Sequence, residues 1–187
     1  MPPNLMTDML LNRVYPIVIA QYQRDDFGVG GEHMLHWALV VLWNKEDPFE
    51  GHAYQAIDRH YSDGRGVIWK QHDIDIVLNN TVKCLGAIQI GEVKARKFKD
   101  LHGLIVGYPT VPKAHVPGWN CRDWVLEVVE LLREKGCIYE SVYPAPVAAM
   151  GTKAAQPHLL QYLRTVSVQT AVNRRYDRLA APAVYWV

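Results

Sequence analysis

Apolar and polar positions along the chain sort into strands first and helices afterwards. Tyr15–Gln21 (YPIVIAQ) is β-branched and apolar with a proline near its start, the pattern of a first or edge-proximal strand. The glycine-rich stretch RDDFGVGGEHM then reads as a loop. His36–Trp43 (HWALVVLW) is almost entirely apolar or aromatic, which predicts a strand buried on both faces. After the acidic turn NKEDPFEG, His52–Asp58 (HAYQAID) predicts an antiparallel hairpin partner. Gly66–Lys70 (GVIWK) and Leu85–Val93 (LGAIQIGEV) are shorter strand candidates separated by a polar stretch.

Helical signals take over from Phe98–Val106 onward. The segment 107–118 (GYPTVPKAHVPG) holds three prolines and two glycines and breaks any helix before it. It delivers the chain to a run in which Trp124, Val125, Val128, Leu131 and Leu132 fall on one helical face, with Asn120 able to cap the start and Gly136 the end. A proline-containing connector, SVYPAPVAAMG, follows. The tail then carries a stripe at Leu159, Leu160, Leu163 and Val166, with Pro157 tolerated in the first turn. That stripe can dock on the core or on a second copy of the chain, giving a homodimer. The order predicts an α+β fold: an antiparallel sheet packed against a helix that carries a cysteine at its N-terminus, plus a C-terminal helix. The expected organisation is one domain over 1–143, with 144–187 as a connector and helical extension packing on it.

Composition narrows the class. The 187 residues are 49% hydrophobic and 21% charged, the balance of a chain that folds by burying its own core. Twenty Lys and Arg against nineteen Asp and Glu leave a net charge of +1, so no overall field favours nucleic acid or an anionic membrane. No run approaches the roughly 18 apolar residues needed to cross a bilayer, and integral membrane association is not expected. The N-terminal stretch lacks a basic leader and a small-residue cleavage site, and it reads as mature and cytoplasmic. Cys84, Cys121 and Cys137 are too few for a disulfide framework and show no zinc-type spacing. Neither a metal nor a cofactor is expected.

Cys121 stands out among the three because it opens a well-bounded helix. Unpaired backbone N–H groups and the positive end of the helix dipole favour a thiolate there, and the same N–H groups can hold an oxyanion. Cys84, entering a strand, and Cys137, following Gly136, read as structural. A cysteine nucleophile needs a base on a rigid element. His36 opens the strongest strand, and His52 opens its neighbour, where it can orient the His36 imidazole; Tyr54 and Gln55 are the alternative orienters, on opposite faces of that strand. His33, His60, His72, His102, His115 and His158 read as solvated. His33 and His36 would point to opposite faces, which argues against a metal pair. Gly28–Gly31 lacks the spacing of a phosphate cradle, and Lys94, Arg96, Lys97 and Lys99 read as a solvated helix face.

The combination of an H-W-A-L-V strand, a polar histidine on the next strand and an N-C-R-D-W-V helix start resembles the circularly permuted papain-like thiol enzymes, in which histidine precedes cysteine. It is similar to the lecithin:retinol acyltransferase-like proteins, with an H-W-G-like strand and an N-C-E-H-F-like start, and to the PPPDE isopeptidases, with an N-C-N-x-F-like start. The likeness spans residues 36 to about 135. Arg122, Asp123 and Trp124 depart from the residues that follow the cysteine in both families, which places this chain in a separate subfamily of the permuted, NlpC-like clan. The resemblance implies Cys121 as nucleophile, His36 as general base and His52 as the third group. Trp119, Asn120 and Trp124, with Trp37 and Gln55 on the strands, would line the substrate cleft. It further implies acyl transfer through a Cys121 thioester, by a thiol protease-like hydrolase or an acyltransferase, on a peptide, amide or small acyl substrate. The competing expectations are a non-catalytic relative that binds a peptide or small molecule in the same cleft, and a self-associating interaction protein.

Overall fold

A computed structural model describes residues 13–24, 27–31, 34–43, 49–113, 116–143 and 156–187. The N-terminal segment, the acidic turn after Trp43, most of the connector after Tyr143, and His33 and His115 lie outside the described residues. The chain is α+β. Six strands, β1 (Val14–Tyr22), β2 (His36–Leu42), β3 (Glu50–Tyr61), β4 (Gly66–Val77), β5 (Cys84–Lys94) and β6 (Val184–Tyr185), form one sheet in the order β4-β3-β2-β1-β5-β6. Among the described residues, three α-helices lie between β5 and β6: α1 (Phe98–Val106), α2 (Cys121–Glu134) and α3 (Gln156–Tyr176).

Three expectations are corrected. The sheet is mixed, because the two-residue β6 lies parallel to β5 while every other pair is antiparallel. Strand β1 is the first strand in the described chain but not an edge-proximal one; it lies between β2 and β5. Pro16 is accommodated because it pairs with Glu92 of β5 just before pairing to β2 begins at Ile17↔Val41. The polar stretch after Lys70 is strand, since β4 pairs with β3 without interruption from Tyr61↔Gly66 to Glu50↔Val77. As the edge strand it has one neighbour, and its residues are mostly exposed, so apolar alternation is not required of it.

Strand alternation divides the side chains between two faces. Trp37, Leu39 and Val41 of β2 share one face with Tyr54 and Ala56 of β3, and the main core there is completed by Leu101 and Ile105 of α1, by α2, and by Leu159, Leu163 and Val166 of α3. Trp124, Val125, Val128, Val129 and Leu132 of α2 are fully buried in it. At about 1.5–3 kcal/mol for each apolar side chain removed from water, this stripe holds α2 against the sheet. Gly91 permits close approach behind the helix: a Cβ there would meet the Cys137 carbonyl oxygen at 1.9 Å.

The other face carries a smaller cluster rich in alanine, including Ala20, Ala38, Ala53 and Ala87. Residues 78–83 join β4 to β5, although three strands intervene. In a flat sheet Val77 and Cys84 would lie about 30 Å apart, from four strand spacings and a seven-residue offset along the strands. Seven chain steps reach about 24 Å when fully extended, and Leu78–Asn80 form a 3₁₀ turn. The sheet therefore coils, with the small-residue face inside the curl and the connection crossing it. Leu78, fully buried in this second cluster, marks the crossing.

Candidate active site

The first turn of α2 begins at a built cap. The Arg122 N–H donates to the Asn120 side-chain oxygen at 2.9 Å, the Asn120 N–H donates to the Asp123 carboxylate at 3.0 Å, and the Asn120 amide donates to the Gly118 carbonyl at 3.1 Å. The cap fixes where the helix starts, and the stripe behind it fixes where that start meets the sheet. Cys121 arrives at the beginning of β2, where it hydrogen-bonds His36 and accepts the backbone N–H of Trp37. His36 in turn lies 2.6 Å, through Nε2, from Gln55 Oε1. With Gln55 accepting from the Nε2–H, Nδ1 is the ring nitrogen left for the thiol.

The electrostatics separate this cysteine from the other two. Burial alone would raise the Cys121 thiol, but the hydrogen bond and charge of His36, the Trp37 N–H and the Arg24 guanidinium outweigh it and hold the group below the ordinary thiol range. Burial alone would lower His36; the hydrogen bond and charge of Cys121 and the bond to Gln55 overcome it, against Arg24, and the imidazole lies above its ordinary value. The two shifts share one origin, the hydrogen bond and charge that Cys121 and His36 exert on each other. Cys84 is pushed up to about 11 by burial, and burial raises Cys137 as well.

His52 is not the group that orients His36. The β2–β3 register pairs it with Val41, on the helix-covered face, whereas His36 and Gln55 share the opposite face. Of the two alternatives on β3, Gln55 has the position beside His36; Tyr54 is fully buried and lies 3.0 Å, through its hydroxyl, from Nδ1 of His102. The expected aromatic walls are corrected too. Trp37 and Trp124 are fully buried core residues, and Trp119 is packed edge-on against Trp69 while its indole N–H donates to Glu127 at 2.8 Å. Asn120 is spent on the cap. Trp37 still contributes to the site, through its backbone.

Beside His36, inside the curl of the sheet, lies a cavity of about 530 Å³ walled by Tyr22, Arg24, Gln55 and Asp58 and crossed by Thr81 and Lys83 of the β4–β5 connection. Arg24 Nη2 bonds Asp58 Oδ2 at 2.8 Å. His36 opens onto this cavity, while Cys121 is only 1% exposed. Arg24 and Lys83 were not legible as site residues, because the loop and the connection that carry them have no periodicity to place them. On the helix-covered face a second polar group gathers His52, Asp73 and His102, one ligand-type atom from each lying within 4.8 Å of the others. His102 is thus held in a side-chain cluster instead of standing alone in solvent.

No helix among the described residues is long and apolar enough to cross a membrane. Comparisons with the curated proteins and with the solved structures gave no match. Residues 12–145, which contain the sheet apart from β6 together with α1, α2 and the Cys121–His36–Gln55 cluster, match one family model, and the chain belongs to the family of unknown function DUF6914.

Proposed function

We propose that this chain is a cysteine-dependent acyl-transfer enzyme of the permuted papain-like kind, with Cys121 as nucleophile, His36 as general base and Gln55 as the group that orients His36. The observation that carries the proposal is the Cys121–His36 hydrogen bond at the junction of a capped helix start and a strand start, with Gln55 on the remaining ring nitrogen. Cys121 S⁻ attacks a substrate carbonyl carbon and the carbonyl π electrons move to oxygen, where the positive end of the α2 dipole favours the developing charge. As the tetrahedral adduct collapses, the imidazolium gives its proton to the departing amine or alkoxide and a thioester remains. Water or an acceptor nucleophile, deprotonated by neutral His36, then releases the acyl group. The cavity beside His36 suits a compact substrate, and Arg24 and Lys83 favour one bearing a negative or strongly polar group.

A second reading, a non-catalytic binder that uses the same cavity, is favoured by one observation: the thiol is 1% exposed, and the cavity is walled by His36 and not by Cys121. Intact-mass measurement after exposure to small thioester, amide and peptide electrophiles separates the two. An acyl adduct that forms on the wild type, is absent from Cys121→Ala and forms at least tenfold more slowly on His36→Ala supports catalysis. Failure of every electrophile to acylate Cys121, with ligands still binding beside His36, favours the binder.

A further inference from the structure

The helix-covered face holds a cluster that the proposed acyl-transfer chemistry does not use. His52 on β3, Asp73 on β4 and His102 on α1 each present one ligand-type atom, and the three atoms lie within 4.8 Å of one another. His52 Nε2 is 3.3 Å from Asp73 Oδ2. Two ligand atoms each about 2.0–2.1 Å from a tetrahedral zinc ion lie about 3.3 Å apart, so this pair already has the spacing of one edge of such a site. Behind the ligands stand partners of the kind that orient metal-bound imidazoles. Asp75 Oδ1 is 2.6 Å from His52 Nδ1, which directs Nε2 towards Asp73. The Tyr54 hydroxyl, on a fully buried residue, is 3.0 Å from His102 Nδ1 and holds the orientation of that ring. The two imidazoles are stacked edge to face with centroids 5.4 Å apart.

We propose that His52, Asp73 and His102 form a divalent metal site of the zinc class that clips α1 to the β3–β4 hairpin. Two imidazoles and a carboxylate favour Zn²⁺ over Mg²⁺ or Ca²⁺, which take oxygen donors, and three protein ligands leave one position for water. The clip has mechanical sense. Helix α1 is nine residues long with only Leu101 and Ile105 buried, so a bond from His102 to both strands of the hairpin adds an anchor that its packing lacks. The site lies on the face opposite the cavity and shares no residue with the Cys121–His36 pair, so it stands or falls independently of the acyl-transfer proposal.

The test is a titration of the chelator-treated full-length chain with Zn²⁺, followed by calorimetry, and with Co²⁺, followed by its visible absorption. One equivalent bound in the micromolar range or tighter is expected, with the intense bands of a four-coordinate cobalt site and a rise in the unfolding temperature. Affinity should fall at least tenfold in His52→Ala and in His102→Ala. Asp75→Asn, at an exposed position, should fold normally and bind about 10-fold more weakly through loss of ligand orientation. Cys121→Ser and His36→Ala should bind as the wild type does. The proposal is overturned if the wild type binds no Zn²⁺ at 100-fold excess over protein. It is equally overturned if binding survives unchanged in folded His52→Ala and His102→Ala chains, or if it disappears in Cys121→Ser, which would put the ion on the thiolate.

Discussion

At the residue scale the site turns on which ring nitrogen of His36 faces which partner. Gln55 is a neutral amide, so it can fix the tautomer without adding a charge that would compete with the thiolate for the imidazolium. Its bond raises the His36 pKa, and so does the bond to Cys121, whereas the Cys121 pKa is lowered by His36. The sign of each limb of a pH profile follows. Acyl transfer should fall on the acid side as Cys121 takes up a proton, below the ordinary thiol range, and on the alkaline side as His36 loses one, above the ordinary imidazole range. Gln55→Leu removes a contribution that raises His36, so the alkaline limb should move to lower pH while the acid limb moves less; a profile that keeps both limbs in place would count against Gln55 as the orienter. Alkylation gives a second check that needs no substrate. Cys121 should react with a small haloacetamide at a pH where Cys84, pushed up to about 11, does not, and His36→Ala should shift the Cys121 midpoint upward. Peptide mapping of the labelled sites at several pH values reads both effects. Because Cys121 is 1% exposed, a bulky maleimide should label it far more slowly than the haloacetamide does.

At the element scale, two boundaries hold the pair together. The start of α2 was legible, since Asn120, the apolar spacing from Trp124 onward and Gly136 each have a local cause, and Gly136 has the positive φ of +70° that a helix-ending glycine supplies. Only the width of the stripe differs from expectation, because Val129 is fully buried and Leu131 only half so. Register between β2 and β3 was not legible. A slip of a single residue would turn His52 onto the face of His36 but leave it several residues further along the strand, and only a five-residue slip from its pairing with Val41 would set the two side by side; that choice rests on a connection whose length is not written in the hydrophobic pattern. The full extent of β4 was hidden for a related reason, since an edge strand needs backbone pairing more than apolar alternation. The cap allows a sharp expectation. Asn120→Ala should cost about 0.5–2 kcal/mol in chemical denaturation, and it should also slow Cys121 alkylation near neutral pH, because the helix start that presents the thiol would fray. Asn120→Ser, which can cap in the same way, should restore most of both; if Asn120→Ala loses stability but keeps full thiol reactivity, the cap positions nothing.

At the scale of the whole molecule, the order of strands before helices was enough to give the α+β class, while the coiling of the sheet followed from a connection too short to cross a flat one. The C-terminal stripe left open whether α3 serves this chain or a second copy. Its packing answers for most of the stripe: Leu159 and Leu163 are fully buried in the main core, and Val166 sits against Gly86, where a Cβ would meet its side chain at 2.8 Å. The tail reaches the cavity as well. Arg174 Nη1 donates to the carbonyls of Val82 and Cys84 at 2.6 and 2.8 Å, gripping the end of the same connection whose Thr81 and Lys83 cross the cavity. The family match ends at residue 145, before α3 begins. Yet burying Leu159, Leu163 and Val166 contributes about 5–9 kcal/mol at 1.5–3 kcal/mol each, against a total stability of about 5–15 kcal/mol for an ordinary domain. A chain ended at residue 145 should therefore lose its cooperative thermal transition or aggregate, although it retains every residue of the Cys121–His36–Gln55 cluster. Arg174→Ala isolates the second role of the tail. It should keep the transition, unfolding at a modestly lower temperature, while backbone amide exchange quickens selectively over residues 78–86 and small-molecule binding beside His36 weakens. Uniform exchange changes across the sheet, or none in that connection, would show that α3 supports the core without holding the cavity in shape.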